Sequence, residues 1–178
     1  MNFIPEQSKE STSVPYFEDA TSADGWQGQS TTKSINTLQS EISEAISRLG
    51  GLVTGFQRGK FESDVDRDGF RIHYTLTATD GRQVPGRINI AALPIRYESH
   101  REKSLKMALY MFRQAMSGTW FLQQLSPGYS ALVPFMLGNG TDKTISELWA
   151  ESSIMNNLLP PGDDEDFIEG EWKIAKII

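Results

Sequence analysis

The chain has 178 residues, 38% of them apolar, and a formal net charge of -6 from 17 Lys and Arg against 23 Asp and Glu. That length suits one domain with a real core and residues left over for tails. The absence of Cys and the presence of only two His exclude a disulfide scaffold, a thiolate metal site, a cysteine nucleophile and a His-rich metal centre.

No apolar run approaches the roughly 18 residues of a membrane span. Residues 1–9 carry an early Pro5 and the acidic Glu6, not the basic-then-apolar order of a secretory signal. A cytoplasmic protein without a membrane partner is the expectation. The net charge argues against nucleic acid at first sight, but it is unevenly spread. Residues 1–47 hold two bases and seven acids, 48–113 hold twelve and seven, and 114–178 hold three and nine. A basic middle therefore lies between acidic ends, and such asymmetry informs more than the total.

Residues 1–30 are polar and aperiodic, which predicts a disordered or loosely attached arm. Its isolated aromatics, among them Phe17 and Trp26, are expected to dock on the domain. Over 31–49, Ile35, Leu38, Ile42, Ile46 and Leu49 recur every three or four residues, the stripe of an amphipathic helix. Gly50-Gly51 supplies its stop.

A strand is predicted over 52–61, with Gly55 and Gly59 suggesting a bulge. Phe70, Ile72, Tyr74 and Leu76 then alternate with Arg71, His73, Thr75 and Thr77, the mark of a half-buried strand. Asp80-Gly81 predicts a type I′ hairpin turn, and the return strand is placed at 83–95. A second helix is predicted over 99–117, followed by a separate apolar stretch with Trp120, Phe121, Leu122 and Leu125. Thr144 and Glu147 match a capping box that opens a last helix ending near 157. The resulting expectation is one α+β domain over 31–158, with an α-β-β-β-α core, a three-stranded antiparallel sheet and extra C-terminal helices. Residues 159–178 form an acidic tail with a short hydrophobic end.

Three constellations invite chemistry and fall short of it. Asp64, Asp66 and Asp68 followed by Gly69 begin like a calcium loop, but position twelve is Thr75 where a bidentate Glu belongs. Residues 138–144 end in Lys-Thr without the spacing of a phosphate loop. His73 and His100 sit in no nucleophile motif. A non-enzymatic protein with no catalytic residues, no metal and no cofactor is expected.

The basic middle remains. Arg71, His73 and Arg87 fall on the polar face of the predicted sheet, with Arg58 and Lys60 nearby on the first strand. Their face there is unsettled by Gly59. Arg101, Lys103 and Lys106 cluster where a helix N-terminus also favours phosphate. These eight residues are the candidate nucleic-acid contacts, and Tyr74, Phe56 or Phe61 are candidates for stacking on bases.

In the tail, Asp163, Asp164, Glu165, Asp166 and Phe167 resemble the acidic-then-aromatic tip of bacterial single-stranded DNA-binding proteins, although eleven residues follow Phe167 here. That resemblance implies a partner-binding element that competes with nucleic acid for a basic core. The α-β-β-β-α order resembles double-stranded RNA-binding domains, with Arg101, Lys103 and Lys106 as the counterparts of their basic helix start. The chain also looks similar to small proteins of bacteriophages and mobile elements. The likeness lies in the Gly-terminated helix 34–49, in Ala92-Leu93-Pro94-Ile95, and in Leu132-Val133-Pro134-Phe135-Met136 followed by Thr144-Ile145-Ser146-Glu147. It implies an accessory protein of replication, recombination or evasion of host defence.

The function expected is binding of single-stranded DNA or RNA by a basic sheet face, with the tail recruiting a replication, recombination or host-defence protein or restraining the domain. The alternative is a protein-binding inhibitor or adaptor. The pattern also leaves open a homo-oligomer formed through the apolar second helix.

Overall fold

The structure, a computed structural model, describes residues 14–62 and 65–151. Helix α1 (Ile35–Arg48) begins where the Ser34 hydroxyl accepts a hydrogen bond from the Thr37 amide at 3.1 Å, satisfying a free donor of the first turn. Leu38, Ile42, Ala45 and Ile46 line its buried face. Gly50, at φ 95°, closes it in the left-handed conformation that a Cβ would oppose.

Strands β1 (Gly51–Phe61), β2 (Arg67–Thr77) and β3 (Gln83–Ala91) follow as an antiparallel sheet in the order β1-β2-β3. Helix α2 (Arg101–Leu125) then returns beside α1. The domain is therefore α+β with an α-β-β-β-α core. Both helices cover one face of the sheet. Leu38, Ile42 and Ile46 from α1, and Leu105 and Leu109 from α2, pack with Phe70, Ile72, Tyr74, Ile88 and Ile90.

Four details differ from the sequence expectation, each for a local reason. Strand β2 starts at Arg67 instead of Phe70, because Lys60 and Phe61 keep pairing with Asp68 and Arg67. Strand β3 stops at Ala91, short of 95. In the hairpin, only Gly81 has positive φ (83°), and Asp80 does not. With Ala78 and Arg82 bonded across three residues, this is a turn of ordinary hand followed by a left-handed Gly, not a type I′ turn. Finally, α2 continues to Leu125 and absorbs Trp120, Phe121 and Leu122. Gly118 weakens a helix by only about 1 kcal/mol. Trp120 offsets that cost by packing on the core, with the Arg48 guanidinium 4.4 Å from its ring centre. The stop comes at Ser126, held extended before Pro127.

Tyr74 ties the C-terminal part to this frame. Its ring lies against Gly86, where an added Cβ would come within 2.2 Å of it. Its hydroxyl donates to the Leu132 carbonyl at 2.7 Å. From there Met136 bridges to Gly86 and the Leu137 amide donates to Pro85 O at 2.9 Å, so this segment lies along the edge of β3. Helix α3 (Ile145–Glu151) follows, opened by the predicted capping box. The Glu147 amide donates to Thr144 Oγ1 at 3.2 Å, and the Thr144 amide to Glu147 Oε2 at 2.7 Å.

Of the arm expected over 1–30, the described part, 14–30, is docked. Phe17 and Ala20 are buried with Leu93 and Met107, and Trp26 packs against them. Asp19 accepts two bonds from the Arg96 guanidinium, at 2.7 and 2.5 Å. Glu18 accepts from the amides of Arg96 and Tyr97 and lies 2.9 Å from His100 Nδ1. Desolvation raises its pKa, but the His100 bond, its own amide and those of Arg96 and Tyr97 outweigh this and hold it at about 2.

Two outcomes follow from these contacts. Tyr74→Phe strands the buried Leu132 carbonyl, so denaturant unfolding should show a loss of roughly 1–3 kcal/mol. For Glu18, a folded pKa of about 2 against the ordinary 4.5 means that its contribution is complete above pH 4.5 and fades as pH falls towards 2. Acid titration followed by hydrogen exchange of the 14–30 amides should therefore show loosening in that window, and Glu18→Gln should show it already at neutral pH.

Candidate nucleic-acid interface

The strand register sorts the basic residues by face. A bulge between Val53 and Gly55 inserts Thr54 as an extra residue and resets the alternation of β1. Beyond it, Phe56, Arg58 and Lys60 lie opposite Ile72, Phe70 and Asp68, on the face covered by helices. Gln57, Gly59 and Phe61 lie opposite Arg71, Gly69 and Arg67, on the outer face. Across β2 and β3, Arg71 pairs with Asn89 and His73 with Arg87. The eight candidate contacts thus divide between two layers, and no single sheet face carries them all.

On the helix side two of the five candidates are already matched. Arg58 pairs with Glu102 at 2.6 Å, and Arg101 lies 2.7 Å from Glu98 and 3.5 Å from Asp68. Lys103 and Lys106 have no carboxylate partner among the described residues, and line a shallow cleft with Gln29, Ser30 and Thr31. Lys60 is exposed beyond them. Asp68, a member of the calcium-like motif, is engaged by Arg101, whereas Asp64 lies outside the described residues. Among the described residues, no group of three or more His, Asp or Glu is placed to hold a metal ion.

The outer face differs in kind. None of its strand residues is acidic, and neither α1 nor α2 packs on it. Along β2 it presents Arg67, Gly69, Arg71, His73 and Thr75. Arg71 donates from Nε to Asn89 Oδ1 at 3.0 Å, which orients the guanidinium. His73 is exposed. Arg67, missed as a candidate, donates from Nε to the Ala92 carbonyl at 2.7 Å and from Nη2 to that of Ala91 at 3.0 Å. Desolvation lowers its pKa, and no carboxylate among the described residues balances its charge.

Arg87 has another task. Its side chain is 11% exposed and donates to Glu147 Oε2 at 2.6 Å, locking the capping box of α3 to β3. Burial raises the Glu147 pKa, but the Thr144 amide, Arg87 and the Thr144 hydroxyl together bring it below the ordinary value. Arg87 is thus a structural residue at the border of the open face.

Of the stacking candidates, Tyr74 is buried and Phe56 packs on the core, while Phe61 belongs to the outer face. Gln57, Asn89 and Phe61 join Arg71 there through cross-strand pairing, which no motif announces. Asp163, Asp164, Glu165, Asp166 and Phe167 lie outside the described residues, as does the tail as a whole. The described residues hold fourteen bases and fourteen acids, so the domain is neutral and the net charge of -6 resides in the remainder.

Comparison with known proteins finds no matching family model, no matching curated protein and no matching solved structure.

Proposed function

We propose that the chain is a non-enzymatic protein that binds single-stranded nucleic acid across the outer face of its sheet. The observation that carries this reading is the composition of that face: packed by neither α1 nor α2, free of strand carboxylates, and lined along β2 by Arg67, Arg71 and His73. Outward residues on a strand recur about every 7 Å, so these nitrogen-bearing side chains form a row that a phosphodiester backbone can follow. An open sheet face offers room for a backbone and for unpaired bases side by side. It can receive the splayed bases of a single strand.

The tail fits this arrangement as a competitor. Glu147 holds α3 against Arg87 at the margin of the face, and Asp163 follows Glu151 by twelve residues, about 40 Å of fully extended chain. Residues 163–166 can therefore reach Arg71 and His73, and the same acidic-aromatic segment suits recruitment of a replication or recombination protein. The setting in a phage or mobile element rests on the three short motifs alone.

The second reading, an inhibitor or adaptor that binds protein, draws on the end of α2. Phe121, Leu122 and Leu125 are exposed there, Leu125 at 82%. It predicts no affinity for nucleic acid.

Anisotropy of a labelled single-stranded DNA 20-mer decides between them. Binding should weaken linearly in log–log form with rising salt. Arg71→Glu should reduce affinity at least tenfold, and removal of residues 152–178 should increase it. No salt-sensitive binding of single-stranded DNA or RNA at low ionic strength would overturn the proposal and favour the protein-binding reading.

A further inference from the structure

The outer face contains one feature that phosphate binding does not need. A hollow of about 150 Å³ is lined by residues 57–61 with Phe70 and Arg71. Of these residues Gln57, Gly59, Phe61 and Arg71 are at outward positions, and Arg58, Lys60 and Phe70 are at the inward positions between them. This is too small for a whole drug-sized ligand and suits one planar group.

Glycine at 59 is the informative residue. A Cβ there would meet nothing within 4 Å, and its φ lies outside the left-handed region. The fold therefore does not require glycine at this position. Gly69, directly opposite, is different: an added Cβ would come within 2.1 Å of Ile90 O and 2.5 Å of Phe61 Cε2. A glycine that weakens a strand without a steric reason marks a place where something else approaches the backbone closely. Gly69 in turn leaves room for the Phe61 ring, which lines the hollow.

We infer that this hollow is a slot for a single nucleobase, with guanine preferred. The inference rests on the single-strand reading above and specifies what that face recognises. Gly59 gives the base access to the sheet surface, and Phe61 supplies an aromatic plane for stacking. Arg71 supplies the recognition. Asn89 occupies its Nε, so both Nη groups remain to donate as a fork. The acceptors that match such a fork on a base are O6 and N7 of guanine, the commonest specific arginine contact. Gln57 adds an amide that can both donate and accept at the same edge. Phosphates then fall to Arg67 and His73 on either side.

The experiment compares labelled oligothymidine 12-mers carrying at the centre one guanine, one adenine or one abasic site, against the full chain and two variants. For the unaltered chain, the guanine strand should bind about tenfold more tightly than the abasic strand, and adenine should fall between. Gly59→Val adds bulk in the slot at a position where a Cβ meets nothing within 4 Å, so it should abolish these differences. It should also retain the salt-sensitive affinity for the abasic strand, and an unchanged or higher unfolding temperature confirms that it folds. Arg71→Lys should keep the charge, lose the fork and reduce the guanine preference. Equal, salt-sensitive binding of all three strands by the unaltered chain would overturn the slot and leave the single-strand reading standing. Persistence of the guanine preference in Gly59→Val would also overturn the slot. Absence of binding to every strand would overturn both.

Discussion

The hydrogen bond from Tyr74 to the Leu132 carbonyl organises more of this molecule than any other contact. Tyr74 continues the inward row of Phe70 and Ile72, and its ring fills the space left by Gly86 on the neighbouring strand. By holding Leu132 it brings residues 131–137 to the helix side and directs residues 136–137 along the edge of β3. Among the described residues neither α1 nor α2 covers the opposite face, and an open, half-polar antiparallel sheet is the physical basis of the proposed site.

The distribution of charge completes this division. On the helix side the two arginines among the candidates are matched by carboxylates, Arg58 by Glu102 and Arg101 by Glu98 and Asp68, while Lys60, Lys103 and Lys106 have no such partner among the described residues. The guanidinium of Arg96 likewise serves to fasten the 14–30 segment through Asp19. Arg71 and Arg67 instead bond to an amide and to backbone carbonyls, partners that orient a guanidinium without neutralising it. The proposed polyanion-binding, self-restraining role draws on this division: a neutral domain, Arg67 and Arg71 on one face without carboxylate partners among the described residues, and acidic residues beyond the described part. The overall charge of -6 conceals this division.

Much of this fold was legible in the sequence because it depends on local rules. The alternation from Phe70 to Thr77, the stripe of α1, the glycine stop and the Thr144–Glu147 box each lie within a few residues. The remainder depends on long-range or competing effects. The face of Arg58 and Lys60 is set by a bulge at Thr54, and Gly55 and Gly59 carry no side chain from which parity could be read. The length of α2 is decided by Trp120 reaching the core and Arg48, which outweighs Gly118. Arg87 looks like a free surface cation until Glu147, sixty residues later, arrives beside it. The docking of 14–30 depends on Phe17, Ala20 and Glu18 meeting partners about eighty residues away, inside a segment whose composition reads as disordered. The cross-strand set of Gln57, Arg71 and Asn89 likewise exists only once the register is fixed.

The central claim is that the outer face, and not the start of α2, meets the nucleic acid. Amide and side-chain chemical-shift mapping of the isotope-labelled chain, titrated with a short single-stranded oligonucleotide, tests this directly. The account predicts shifts concentrated at Gln57, Gly59, Arg71, His73 and Asn89, with Lys103 and Lys106 unmoved. Shifts centred on Lys103 and Lys106, with the β2 row unchanged, would contradict it.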